Sequence, residues 1–197
     1  MTRSRFLAAA GAAALLLIAP AAGAERRPFR FDEMVKAGRL SGFSLSRDGK
    51  WIAYAVSVPD LDENRGRSAI WLVAAAGGEP RRLTGGPRDG DPKFSPNGKK
   101  LAFVSNREGG SQIWLLDLAG GDPVKATSFP TEVSGYEWSP DGKWFVVTSD
   151  VFPECADAAC LDKKLKAREK SKIRARIAEG LLFRHWDSWK DGTRTHV

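Results

Sequence analysis

The chain has 197 residues, 42% of them hydrophobic and 28% charged, with a formal net charge of +7. That excess is local: Leu161 to Glu179 hold eight basic and three acidic residues, and the rest of the chain after residue 24 is balanced. The charge balance therefore gives little support to a general nucleic-acid-binding surface, and beyond the N-terminal leader no stretch is apolar enough to span a bilayer.

Met1 to Arg5 is a basic n-region, Phe6 to Pro20 is apolar, and Ala22-Gly23-Ala24 precedes Glu25. This pattern predicts a secretory signal over 1–24, cleaved between Ala24 and Glu25. The apolar run is shorter than the ~20 residues of a spanning helix, so the expectation is an exported, released protein, periplasmic or extracellular, without a membrane anchor. The remaining 173 residues suffice for one ordinary domain. A lead-in follows over 25–41, in which Asp32 is placed to N-cap one helical turn and Gly38 to stop it.

One phrase then occurs three times: Ser46-Arg47-Asp48-Gly49-Lys50-Trp51, Ser95-Pro96-Asn97-Gly98-Lys99-Lys100 and Ser139-Pro140-Asp141-Gly142-Lys143-Trp144. Each opens as a hairpin turn: Pro is preset for the second position, Asp or Asn follows, and Gly takes the positive-φ corner. Each then runs into apolar, β-branched or aromatic residues, the composition of a strand buried on both faces. The phrases stand 49 and 44 residues apart, a period that marks β-propeller blades.

Ile70-Trp71-Leu72-Val73, Gly77-Gly78-Glu79-Pro80 and Thr84 each recur 43 residues later, as Ile113-Trp114-Leu115-Leu116, Gly120-Gly121-Asp122-Pro123 and Thr127. The six extra residues of blade one must lie between Ser57 and Ile70, where Pro59 to Gly66 reads as a polar hairpin loop. The fold expected is all-β, a partial propeller of about three four-stranded, WD-repeat-like blades over 42–197: blade one 42–84, blade two 91–127, blade three 134–197 and incomplete. Trp51, Trp144, Trp71 and Trp114 are expected to be buried between stacked blades, with ligand stacking as the alternative.

Blade three departs from the pattern near Asp157, where its third strand is due. A helical insertion over about 151–182 is predicted instead, with Leu161, Leu165, Ile173, Ile177 and Leu181 at multiples of four and Gly180 as the stop. Its basic faces read either as an arm for an acidic partner or as solvated surface. Cys155 and Cys160 read as a disulfide in an oxidising compartment, with free thiols or half a metal site as the alternatives. His185 and His196 lack ligand-like spacing to them, and no metal is expected. His185, Asp187 and Ser188 are catalytic residue types, but read as neighbours on one strand they face opposite ways. Lys190-Asp191-Gly192 reads as a further hairpin turn, and the chain stops where the third strand of blade three should begin. Three blades do not close a ring, so the sequence reads as the front of a longer protein.

Leader, lead-in, Ser-Pro-Asp-Gly-Lys blades and an insertion ending Leu182-Phe183-Arg184-His185-Trp186-Asp187-Ser188-Trp189-Lys190-Asp191-Gly192 resemble the N-terminal propeller of prolyl oligopeptidase family serine peptidases, of the dipeptidyl-peptidase or acylaminoacyl-peptidase type. The resemblance implies that a C-terminal α/β-hydrolase domain of the same full-length chain carries the Ser, Asp and His, and that the propeller admits short peptides to acyl transfer through a seryl intermediate. No triad residue transfers to this chain, which has no Gly-x-Ser-x-Gly elbow. No catalytic residue, cofactor or nucleic-acid partner is expected here. The alternative is a non-catalytic, TolB-like protein-binding propeller. Such proteins place an α/β domain ahead of the propeller, where this chain has only Glu25 to Arg39.

Overall fold

The computed structural model describes residues 28–173, 175, 180, 184–189 and 192–197. The predicted leader and the Ala24–Glu25 cleavage site lie outside the described residues, as do Ile177 and Leu181. Helix α1 spans Phe31–Lys36 and is capped at Arg30, whose N–H donates to the Glu33 carboxylate at 3.2 Å. Asp32, the predicted cap, sits inside the first turn beside Glu33, where both acids complement the helix dipole.

Blade one is β1 (Arg39–Leu45), β2 (Trp51–Asp60), β3 (Arg65–Ala74) and β4 (Arg81–Arg82), antiparallel and in spatial order. Blade two repeats it with β5 (Asp89–Phe94), β6 (Lys100–Ser105), β7 (Gln112–Asp117) and β8 (Val124–Lys125). Blade three begins with β9 (Val133–Trp138) and β10 (Phe145–Val151). Helix α2 (Ala158–Lys170) and a hairpin of β11 (Arg184–His185) and β12 (Ser188–Trp189) intervene. Then β13 (Arg194–His196) pairs with β10, giving the order β13-β10-β9. Residues 152–193 are thus inserted between the second and third strands of one blade.

The three repeated phrases form one turn. Gly49, Gly98 and Gly142 donate N–H to the carbonyls of Ser46, Ser95 and Ser139 at 2.8, 2.8 and 2.9 Å, and hold φ of 71, 70 and 70°. Each serine hydroxyl donates to the Asp or Asn side chain two residues on (2.6, 2.9 and 2.6 Å). It also accepts the N–H of the residue five on, Trp51, Lys100 and Trp144, at 2.9, 2.9 and 3.0 Å. The serine thereby ties both sides of the turn, a device of Asx and Ser turns.

Of the predicted hairpin loop Pro59 to Gly66, only Leu61–Asn64 is turn, and its two ends are strand. Pro59 pairs with Gly66 and Asp60 with Arg65, and the chain reverses over Leu61–Asn64. β1 covers β2 only as far as Ser57, so past that point no described strand pairs with that edge of β2 and the missing N–H of Pro59 costs little. Arg67 Nε to Asp60 at 2.8 Å bridges the extended hairpin.

The core lies between blades. Ala53, Ala55, Ile70 and Leu72 of blade one pack against Leu101, Phe103, Trp114 and Leu116 of blade two. Ala102 and Ile113, on the opposite face of blade two, pack against Val133 and Tyr136 of blade three, with Trp138, Phe145 and Val147 beside them. Small residues on one sheet thus receive large ones from the next. Trp114 is buried at 5% exposure, but Trp51 and Trp144 are 44% and 72% exposed, against the expectation of burial. Trp51 opens β2 and Trp144 stands just before β10, so both sit at the turn, outside the two packed clusters.

Candidate functional site

Antiparallel register brings the ends of β2, β6 and β10 and the starts of β1, β5 and β9 to one end of the blades. At that end blade one raises its long hairpin, blade two makes a short turn, and blade three emits the insertion. The two tall features therefore flank blade two, and this end is the candidate site.

The floor between them is held by buried polar contacts. Asp89, fully buried, accepts Arg107 Nη2 at 2.9 Å and the Gly86 N–H at 3.0 Å. Arg107 Nε also donates to Ser105 Oγ at 3.1 Å, and its guanidinium lies 5.3 and 4.8 Å from the ring centres of Phe103 and Trp114. Gln112 spends its whole amide on the connection into blade three. Nε2 donates to the Phe129 and Thr131 carbonyls (3.1 and 3.3 Å), while Oε1 accepts Thr127 Oγ1 and the Phe129 N–H (2.8 and 3.1 Å). Thr84 and Thr127 play matching parts, each hydroxyl accepting the N–H of the leading Ile of the third strand (Ile70 and Ile113; 3.0 and 2.9 Å). A polar cleft of about 280 Å³ opens beside this connection, with Glu108 and Lys125 paired at 3.5 Å on its wall.

The innermost strands are stapled as well. Lys93 Nζ donates to the Tyr136 carbonyl and to Glu137 Oε1, both at 2.5 Å, and lies 3.7 Å from Asp91. Tyr136 donates its hydroxyl to the Asp91 carbonyl at 2.8 Å, and burial pushes its phenol well above the ordinary range. Asp91 holds φ 48° at the bulge where blade one has Gly42 at 49°. A Cβ on Gly42 would meet the Asp91 backbone at 3.2 Å, so only glycine lets the inner strands approach so closely.

The insertion leaves β10 through Phe152, which is 9% exposed, and turns at once into α2. Asp157 caps that helix by accepting the Cys160 N–H at 2.8 Å, and Leu161 is buried. Lys164 pairs with Glu154 and stands 4.8 Å above the Phe152 ring. Cys155 and Cys160 are joined, their Cα atoms 5.4 Å apart. The helix begins before Leu161 and ends at Lys170, well short of the predicted stop at Gly180, with Ser171 turning extended at ψ 130°. Ile173 is 77% exposed, so the four-residue apolar spacing extends beyond the length that finds something to bury against.

His185 and Ser188 are not neighbours on one strand. Their backbones pair in register across the β11–β12 hairpin, whose turn is Trp186–Asp187, with Trp186 at φ 53°. Of the predicted Lys190-Asp191-Gly192 turn, only Gly192 falls within the described residues. Among the described residues, no group of three or more His, Cys, Asp or Glu is gathered for a metal ion, and no helix is long and apolar enough to cross a membrane.

Asp89, Arg107, Gln112 and Lys93 were not singled out from sequence. The signal available was the 43-residue offset that pairs Thr84 with Thr127, which locates the connection Gln112 holds without naming it.

Residues 35–164 match the family described as the TolB beta propeller domain. The chain is similar to dipeptidyl-peptidase 5 of Porphyromonas endodontalis, 31% identical over 158 residues, 79% of this chain and 22% of that protein. It is 35% identical to dipeptidyl-peptidase 5 of Porphyromonas gingivalis over 158 residues, 77% of this chain and 21% of the relative. It thus spans about a fifth of the length of these relatives. Among solved structures, the acylaminoacyl peptidase of Pyrococcus horikoshii superposes with a TM-score of 0.52 at 22% identity, over 63% of this chain and 19% of that one; at that identity it shows the fold alone. With its turn, offset and blade packing all of one repeat, the chain belongs to the TolB β-propeller domain family.

Proposed function

We propose that this chain is the substrate-gating propeller portion of an exported serine peptidase that cleaves short peptides, with the nucleophile, acid and base on an α/β-hydrolase domain of the same full-length protein. The observation that carries this reading is the similarity to two dipeptidyl-peptidases across more than three quarters of the chain. The architecture supports it: one end of the propeller bears a rigid, hydrogen-bonded floor between a long hairpin and a disulfide-bearing insertion, suited to limiting what reaches a reaction centre placed against it. The chemistry would be acyl transfer through a seryl ester, with a base and an oxyanion site supplied by that second domain. In an oxidising compartment the Cys155–Cys160 bond persists and fixes the departure of α2 from β10.

The test is to express the gene from its natural start to its natural stop, and residues 25–197 separately, and assay both with dipeptide and acyl-amino-acid reporters. Turnover by the extended protein alone is expected. A second reading, a TolB-like propeller that binds proteins and catalyses nothing, is favoured by the family match itself. Under it, the extended protein would be inert toward every reporter.

A further inference from the structure

Blade one departs from its own repeat at the turn, and the departure opens a cavity. At the junction of blades two and three, the Pro96 ring reaches Gly142 of the next turn: a Cβ there would lie 3.4 Å from Pro96 Cδ. At the junction of blades one and two, the residue equivalent to Pro96 is Arg47 and the glycine equivalent to Gly142 is Gly98. Nothing lies within 4 Å of a Cβ on Gly98. In place of the proline contact is a cavity of about 570 Å³ with Trp51 and Arg47 among its walls and Phe94 and Leu118 of blade two beside them. That volume falls in the range of small-molecule sites, which are mostly apolar with a few placed polar groups.

The charges here resolve to one. Asp48 is spent within the turn: it accepts Ser46 Oγ at 2.6 Å and the Lys50 N–H at 3.1 Å, with Lys50 Nζ 3.9 Å from its second oxygen. Arg47 makes a single long bond among the described residues, Nη1 to the Pro96 carbonyl at 3.5 Å. Its remaining donors form a planar fork that matches a carboxylate. Trp51 is 44% exposed at a position where blade two has Lys100, so an indole face and a guanidinium border the same apolar cavity.

We propose that the crevice between the first turns of blades one and two binds a small apolar or aromatic carboxylate, such as the C-terminal residue of a peptide. Arg47 takes the carboxylate, and Trp51, Phe94 and Leu118 take the side chain. The crevice lies at the turn end of the blades, away from the insertion, and so forms a site separate from the gating face.

The test uses the intact protein and isothermal titration with N-acetyl-L-phenylalanine and its C-terminal amide. The acid should bind saturably, and the amide at least about tenfold more weakly, since it lacks the charge-assisted pair. Arg47→Pro restores the residue that blades two and three carry, so it should keep or raise the melting temperature while weakening the acid by about tenfold or more. Trp51→Lys, the residue of blade two, should weaken acid and amide together. Absence of saturable binding by the acid up to about 20 mM would overturn the proposal. Equal affinity for acid and amide, or an Arg47→Pro protein that binds as the parent does, would overturn it too.

Discussion

Trp71 and Trp114 hold the same place in consecutive blades, yet Trp114 is buried and Trp71 only half-buried. The same holds for Tyr54 and Phe103, and for Ile52 and Leu101: half-buried in blade one, fully buried in blade two. Within each blade the residue pattern and ladder are alike. What differs is the neighbour, since the Leu101–Phe103–Trp114 face of blade two lies on Ala53 and Ala55 of blade one. A repeat fixes which side chains point at the next blade; burial is then a property of the junction.

The sharpest way to break the comparison is to truncate the paired positions in residues 25–197. Phe103→Ala should cost about 3–5 kcal/mol in denaturant unfolding, and Tyr54→Ala no more than about 1–2 kcal/mol, because less is removed from contact. Equal losses would mean that the blade-one face is covered in solution.

Ion pairs sharpen the same contrast. Arg107→Ala leaves the fully buried Asp89 without its charged partner, with only the Gly86 N–H remaining, and should cost about 3 kcal/mol. Arg67→Ala breaks an exposed pair on the blade-one hairpin and should cost less than about 1 kcal/mol. The readout is the shift in urea midpoint at constant slope.

The insertion offers a third contrast, between repeat and interruption. Replacing Cys155 and Cys160 together by serine should cost about 2 kcal/mol or less, since so short a loop restricts the unfolded chain little. Limited proteolysis should then cut first within 152–193, with the blades intact; cleavage spread evenly over blades and insertion would contradict a local role.

The smallest effect is in acid. Hydrogen bonds from the Ser46 and Ser139 hydroxyls hold the Asp48 and Asp141 carboxyls below their ordinary value. A lowered carboxyl lends stability above its unfolded pKa and loses it as pH falls through the folded one, a window beginning near pH 4. Blade two has Asn97 there and cannot titrate. Asp48→Asn with Asp141→Asn should therefore flatten the fall in melting temperature below about pH 4, and an unchanged slope would refute the link.

Much of the blade was legible in the chain because turns and offsets are local. Ser46, Ser95 and Ser139 with their glycines, and Thr84 with Thr127, each act through bonds to nearby backbone, so spacing alone located them. The misplaced features depend on distant contacts. Trp51 and Trp144 look like core by type, but their place at the strand mouth leaves them in solvent. Ile173 continues the spacing of Leu161 and Leu165, yet it stands exposed, with nothing among the described residues to bury it. Pro59 reads as a loop residue until it is known that β1 stops pairing at Ser57. Asp89, Arg107 and Gln112 are polar residues whose value lies in closing a junction, which no single-blade pattern displays.

The proposal that this propeller gates a serine peptidase is tested most directly by a fluorophosphonate probe applied to the protein expressed to its natural stop codon, with the labelled residue mapped by mass spectrometry. The account predicts one labelled serine outside residues 1–197, blocked by a dipeptide substrate, and no label on residues 25–197 expressed alone. A label within 25–197, or none on the extended protein, would contradict it.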